Sequence, residues 1–140
     1  TNVVAQSVTV HGGIRTISIP QFENAMKNMK EIASRNLPGT TANIVFKTSY
    51  PPMEPTKANY ALLDKFEAVN MALGYGELEP LDPSKRGAAD ISFVAPHVDA
   101  SLAGMGPDGF GDHSENEGLD LLSFPKTTTR AAILIYRLTR

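Results

Sequence analysis

The sequence predicts an α/β fold, with an α+β arrangement in its N-terminal part. Three observations predict it. Segments with two-residue hydrophobic periodicity, Val3 to Ile19 and Ala42 to Lys47, alternate with helix-period segments around Phe22 to Ala33, Asn59 to Leu73 and the last 18 residues. A proline-rich stretch, Ser49 to Thr56 with Pro51, Pro52 and Pro55, separates two halves that could belong to different domains. The length, 140 residues, suits one domain or pieces of two and is enough to bury a core.

The first element is a long strand or a pair of strands over Val3 to Ile19. Val8, Val10 and Ile14 share one parity, and Ser7, Thr9, His11 and Arg15 share the other. Gly12-Gly13 interrupts it, where a bulge or tight turn fits. Ser18, with Gln21 three residues on and Pro20 between them, predicts a capped helix start. The helix carries Phe22, Met26, Met29 and Ala33 on one face and ends at Asn36-Leu37-Pro38-Gly39. The methionines on that face read as core packing rather than a cofactor box. A strand over Ala42 to Lys47 puts Ala42, Ile44 and Phe46 on one side. After the proline connector, a helix over about Asn59 to Leu73 carries Leu62, Phe66, Val69 and Leu73, with Gly74 behind it. Asp82-Pro83-Ser84 marks a turn, and Gly87 to Val94 reads as either a short helix or a strand. Ala100 to Met105 is expected to be a short buried strand leading into a glycine-rich loop. A last helix, starting near Ser123-Phe124-Pro125, carries Ala131, Leu134, Ile135 and Leu138. Arg137 and Arg140 suit the negative end of its dipole.

Composition narrows the function. With 13 basic and 15 acidic residues and no Lys/Arg run, nothing points to nucleic acid or an anionic membrane surface. The absence of cysteine removes disulfides, thiol nucleophiles and thiolate-bound zinc. No apolar run approaches the roughly 20 residues of a spanning helix. The chain opens at Thr1 inside an alternating segment, which suggests truncation or processing, and a soluble cytoplasmic or periplasmic protein is the expectation.

The chemistry-bearing stretch is Gly106 to Glu117, where His113 follows three glycines and sits among Asp112, Glu115, Glu117 and Asp120. Histidine ligates metals and moves protons near neutral pH. Against this stands an ordinary surface-loop histidine within a solvated acidic loop. Glu117 could orient a ligating His113, because such histidines need hydrogen-bonded neighbours. Arg15 could clamp a carboxylate or simply face solvent from its strand. Asp90 could cap a helix beginning at Ile91. His11 and His97 read as ordinary strand and loop residues. A catalytic zinc needs about three protein ligands, and His11, His97 and His113 are too scattered to supply them.

Four blocks, in order, carry a family resemblance. They are Asn2-Val3-Val4 with Gly13-Ile14-Arg15; Tyr50-Pro51-Pro52-Met53 with Pro55-Thr56; Arg86-Gly87-Ala88-Ala89-Asp90-Ile91-Ser92; and Met105-Gly106-Pro107 through Asp112-His113 to Glu117-Gly118-Leu119-Asp120. Together they resemble the C-terminal part of the zinc metallohydrolases that include glutamate carboxypeptidase, acetylornithine deacetylase and succinyl-diaminopimelate desuccinylase. The glutamate carboxypeptidase branch is the most similar. Gly13, Ala5 and Gly118 depart from the family pattern, where an acidic residue, a proline and an aromatic are usual.

The resemblance implies residues 1–50 as the second half of a ferredoxin-like lid or dimerisation domain and 51–58 as the connector. It implies residues 59–140 as the C-terminal segment of a zinc-exopeptidase-like catalytic domain. It implies His113 as a zinc ligand, Arg15 and Asn2 as substrate-carboxylate residues, and Glu117 and Asp90 as supporting positions. It also implies two zinc ions in the intact enzyme, a small peptide or N-acyl amino acid substrate, a missing N-terminal part, and a homodimer formed through the lid. The family's catalytic acidic pair and remaining ligands precede Asn2 in its pattern, so no catalytic residue is assigned here and the chain alone is expected to be inactive. A non-catalytic structural or dimerisation module is the alternative.

Overall fold

The structure, a computed structural model, describes residues 5–140. It is mostly helical, with one two-stranded hairpin: α1 (Ile19–Ser34), α2 (Lys57–Ala72), α3 (Ile91–Val94), β1 (Gly109–Phe110), β2 (Gly118–Leu119) and α4 (Ser123–Leu138). This corrects the expected α/β arrangement. Among the described residues the segments expected as strands, up to Ile19, over Ala42 to Lys47 and over Ala100 to Met105, form no ladder. The physical reason is that a strand satisfies its N–H and C=O groups only through a neighbour, and none is supplied. Val8, Val10 and Val45 are left 76%, 85% and 75% exposed.

The helices form where local chemistry suffices. Ser18 caps α1 by accepting the Gln21 N–H at 3.3 Å. Gln21 Oε1 reaches back to the Ile17 N–H at 2.9 Å, one residue before the usual reciprocal position of a capping box. Yet α1 buries no residue fully and meets no other helix or strand among the described residues. Phe22 and Met26 are half-buried and Met29 is exposed, so the expected methionine core stripe is not a core.

Thr56 caps α2 by accepting the Asn59 N–H at 3.1 Å, which starts the helix two residues earlier than its apolar stripe suggests. α2 packs against α4, and Phe66, Val69 and Leu134 form the core, flanked by Leu63, Leu73, Leu78, Leu102, Met105 and Ile133. The Asn70 amide, buried at the same seam, donates to the Gly76 carbonyl at 2.7 Å and accepts from Arg130 at 3.2 Å. The Arg130 guanidinium also lies 5.2 Å from the Phe66 ring. Of the expected α4 stripe, Leu134 is buried while Ile135 is 61% exposed.

The ambiguous 87–94 segment resolves as the single turn α3. Asp90 does not cap it, contrary to expectation. Its own backbone is helical (φ −58, ψ −27) rather than extended, which takes the carboxylate away from the amides a cap would reach. Ser101 donates its N–H to Asn59 Oδ1 at 2.9 Å, so the segment expected as a strand instead lies along α2. No helix is long and apolar enough to cross a membrane among the described residues.

Candidate functional site

β1 and β2 pair antiparallel, Gly109 opposite Leu119 and Phe110 opposite Gly118. The connection between them carries His113. Gly111 turns the chain with φ 68, and a side chain there would press a Cβ to 2.7 Å from the Asn116 carbonyl oxygen. Ser114 ties the loop together: its hydroxyl donates to the Gly111 carbonyl at 2.7 Å and accepts the Asn116 N–H at 3.2 Å. Its backbone N–H bonds the Gly111 carbonyl, and its own carbonyl accepts the Glu117 N–H.

His113 itself adopts φ 63, the left-handed region that a residue with a Cβ enters at a cost of roughly 1–2 kcal/mol. Its backbone N–H donates to Glu117 Oε2 at 3.2 Å. Glu117 thus fixes the backbone of His113 rather than its ring, and the imidazole stands exposed. Below the loop, the Asp120 N–H donates to the Asp108 carbonyl at 2.9 Å. Asp120 Oδ1 accepts the Leu122 N–H at 2.9 Å, and the Ser123 hydroxyl joins Asp120 to Asp108. Asp120 is therefore occupied in joining the hairpin to α4. Phe110 lies over Gly118, so the ring occupies the space that an aromatic at position 118 would take.

The other expected site residues are placed apart. Asn2 lies outside the described residues. Arg15 is exposed and makes no ion pair among them. Asp90 Oδ1 accepts the Tyr50 hydroxyl at 3.0 Å. That hydrogen bond, and then the carboxylate charge, raise the Tyr50 pKa above its ordinary value. Sequence reasoning missed this pair. Both residues stood in motif blocks, but nothing in the spacing across 40 residues joins them. His113 and Glu117 are brought together; Arg15 and Asp90 are not hydrogen-bonded to either. Among the described residues no group of three or more His, Cys, Asp or Glu could hold a metal ion.

No family model matches the chain, and no solved structure matches it significantly. Among curated proteins it is distantly similar to carboxypeptidase G2 of Pseudomonas sp. (strain RS-16), 26% identical over 136 residues. The match covers 96% of this chain and 32% of the relative, in its C-terminal portion. The chain therefore spans about a third of the length of the curated relative it matches. The resemblance drawn from the four motif blocks is borne out at that level.

Proposed function

We propose that this chain is the C-terminal part of a zinc-dependent metallopeptidase or amidohydrolase that cleaves an amide or peptide bond next to a carboxylate-bearing residue. The 140 residues alone are inactive in this reading. The observation that carries it is a similarity to a carboxypeptidase running through 96% of the chain, His113 loop included. The loop supports it: a non-glycine residue held in the left-handed region by Glu117 and Ser114 is strain of the kind that collects at functional sites.

The residues described do not fit a complete zinc site, because no group of three or more His, Cys, Asp or Glu side chains stands together among them. The reading therefore gives His113 one place in a ligand set whose other members come from the rest of a longer polypeptide. Arg15 and Asn2 bind the substrate carboxylate, with Glu117 and Asp90 supporting. Residues 1–50 belong to a lid that dimerises and 59–140 to the catalytic domain, with 51–58 joining them. The substrate is a small peptide or N-acyl amino acid, and the enzyme is soluble, in the cytoplasm or periplasm.

His113→Ala in the full-length protein tests the assignment. Loss of bound zinc together with hydrolysis is the expected result; unchanged zinc content and unchanged turnover refute it. A non-catalytic structural or dimerisation module is the second reading, favoured by the lack of any three-donor group among the described residues. Hydrolysis by the full-length protein that depends on His113 removes it.

A further inference from the structure

Residues 5–50 and residues 51–140 share few hydrogen bonds. Among the described residues, two hydrogen bonds cross between residues 5–50 and 51–140. The Ile19 N–H at the start of α1 donates to Glu54 Oε1 at 3.2 Å, and the Tyr50 hydroxyl donates to Asp90 Oδ1 at 3.0 Å. Among the described residues no ion pair crosses, and α1 meets no other helix or strand. Both bonds converge on one short stretch. Tyr50 and Glu54 are four residues apart, bracketing Pro51 and Pro52, with Pro55 just beyond. Proline fixes φ and restricts the residue before it, so this backbone holds its two ends at a set separation.

Each bond leads further into the second part. The Glu54 carbonyl accepts the Asn59 side-chain amide at 3.0 Å, and Asn59 Oδ1 accepts the Ser101 N–H at 2.9 Å. Glu54 thus stands between the first turn of α1 and the segment running toward the His113 hairpin. The Tyr50 ring packs on Phe93 of α3, centroids 5.2 Å apart and tilted by 53°. A carboxylate at the first turn of a helix also interacts favourably with the helix dipole, which gives the Glu54 contact a reason to persist at an exposed site.

We infer that Tyr50 and Glu54 form a two-point clasp across the proline connector, and that this clasp sets the orientation of the α1-bearing part relative to the α2–α4 pair. The clasp stands independently of the hydrolase reading. Its consequence for function, that it fixes where Arg15 stands relative to His113, rests on that reading.

Spin-label distances test the clasp without any substrate. The chain has no cysteine, so Lys27→Cys on α1 and Thr129→Cys on α4, both exposed, give two unique label sites in the full-length protein when its remaining sequence is likewise cysteine-free or has its cysteines replaced. The parent should give one narrow distance distribution. Glu54→Ala combined with Tyr50→Phe removes both bonds and leaves the Phe93 ring contact. It should raise the ratio of open to closed forms on the order of twentyfold and broaden the distribution. Glu54→Gln keeps an acceptor for the Ile19 N–H and should retain the narrow distribution. If the double variant loses helicity by circular dichroism, Tyr50→Phe alone, which removes one hydroxyl, carries the same test at roughly fivefold. A distribution unchanged by these substitutions, or already broad in the parent, overturns the clasp. Failure of the hydrolysis assay leaves these distances unaffected, so the two ideas fail separately.

Discussion

Replacing Gly111 by alanine should loosen the His113 hairpin far more than replacing its neighbour Gly106. Gly111 sits at φ 68, where a Cβ costs roughly 1–2 kcal/mol. The added carbon would also lie 2.7 Å from the Asn116 carbonyl oxygen and 3.1 Å from its carbon. Those atoms are backbone, held by the Ser114 hydrogen bonds, so relief requires moving the loop that carries His113. The combined cost is about 2–3 kcal/mol. A local opening made easier by that amount speeds amide exchange roughly 30- to 150-fold. The Asp120 N–H, donated to Asp108 across the base of the hairpin, is the reporter. At Gly106, a Cβ meets no atom within 4 Å and φ is not left-handed, so Gly106→Ala should leave that amide unchanged. Equal exchange rates in the two variants would refute the described loop.

Other perturbations separate the core from the surface. Leu134→Ala empties one of three buried apolar positions and should cost about 2–3 kcal/mol, at the low end for leucine because it borders an open groove. In a thermal melt this is a fall in Tm of roughly 7–10 °C for a chain of this length. Thr56→Ala removes the acceptor for the Asn59 N–H and should cost about 1 kcal/mol, seen in the same melt. Asp82 accepts the Ser84 hydroxyl and N–H, which hold its pKa below the ordinary 3.8. Its contribution is therefore present above that value and lost as pH falls through the lowered one. Asp82→Asn should flatten that limb of an acid melt. Tyr50 has the opposite sign. Its raised pKa makes its contribution present below 10.0 and lost as pH climbs through the raised value, which Tyr50→Phe removes; tyrosinate absorbance in an alkaline titration follows it.

What the sequence made legible divides along a physical line. An α-helix satisfies its own backbone, so the Ser18 cap and the apolar periods of α2 and α4 were enough to place three helices, while the Thr56 cap went unread. The period-2 pattern around Val8, Val10 and Ile14 was read correctly as a pattern and wrongly as a strand, because alternation specifies a face and not the neighbour that completes it. At the site, glycine spacing located the His113 loop. It could not show that Glu117 grips the His113 backbone or that Ser114 draws Gly111 and Asn116 together. Asp90 resembled a cap by position, and only its own helical φ shows why it serves Tyr50 instead. Glu54 carried no signal, since its role depends on the connector bringing it to the start of a helix 35 residues earlier.

The unpaired alternation and the exposed His113 loop both belong to a large accessible surface. A compact monomer of 15.1 kDa exposes about 7,000 Å². This chain exposes 11379 Å². The surplus, on the order of 4,000 Å², is several times the roughly 800 Å² that one partner contributes to a standard interface. Exposed apolar residues stand on α1, which is amphipathic and meets no other helix or strand among the described residues, on the alternating valines, and along α4, where Phe124 and Ile135 line an apolar groove with Met105 and Pro107. A helix with apolar residues on two sides is built to be covered on two sides, and α2 covers one side of α4. His113 stands on the same surface, its backbone held at an energetic cost and its side chain exposed, with no group of three or more metal-donor residues among the described residues. The local chemistry that shapes these helices lies within the chain, and apolar residues of α1 and α4 remain exposed among the described residues.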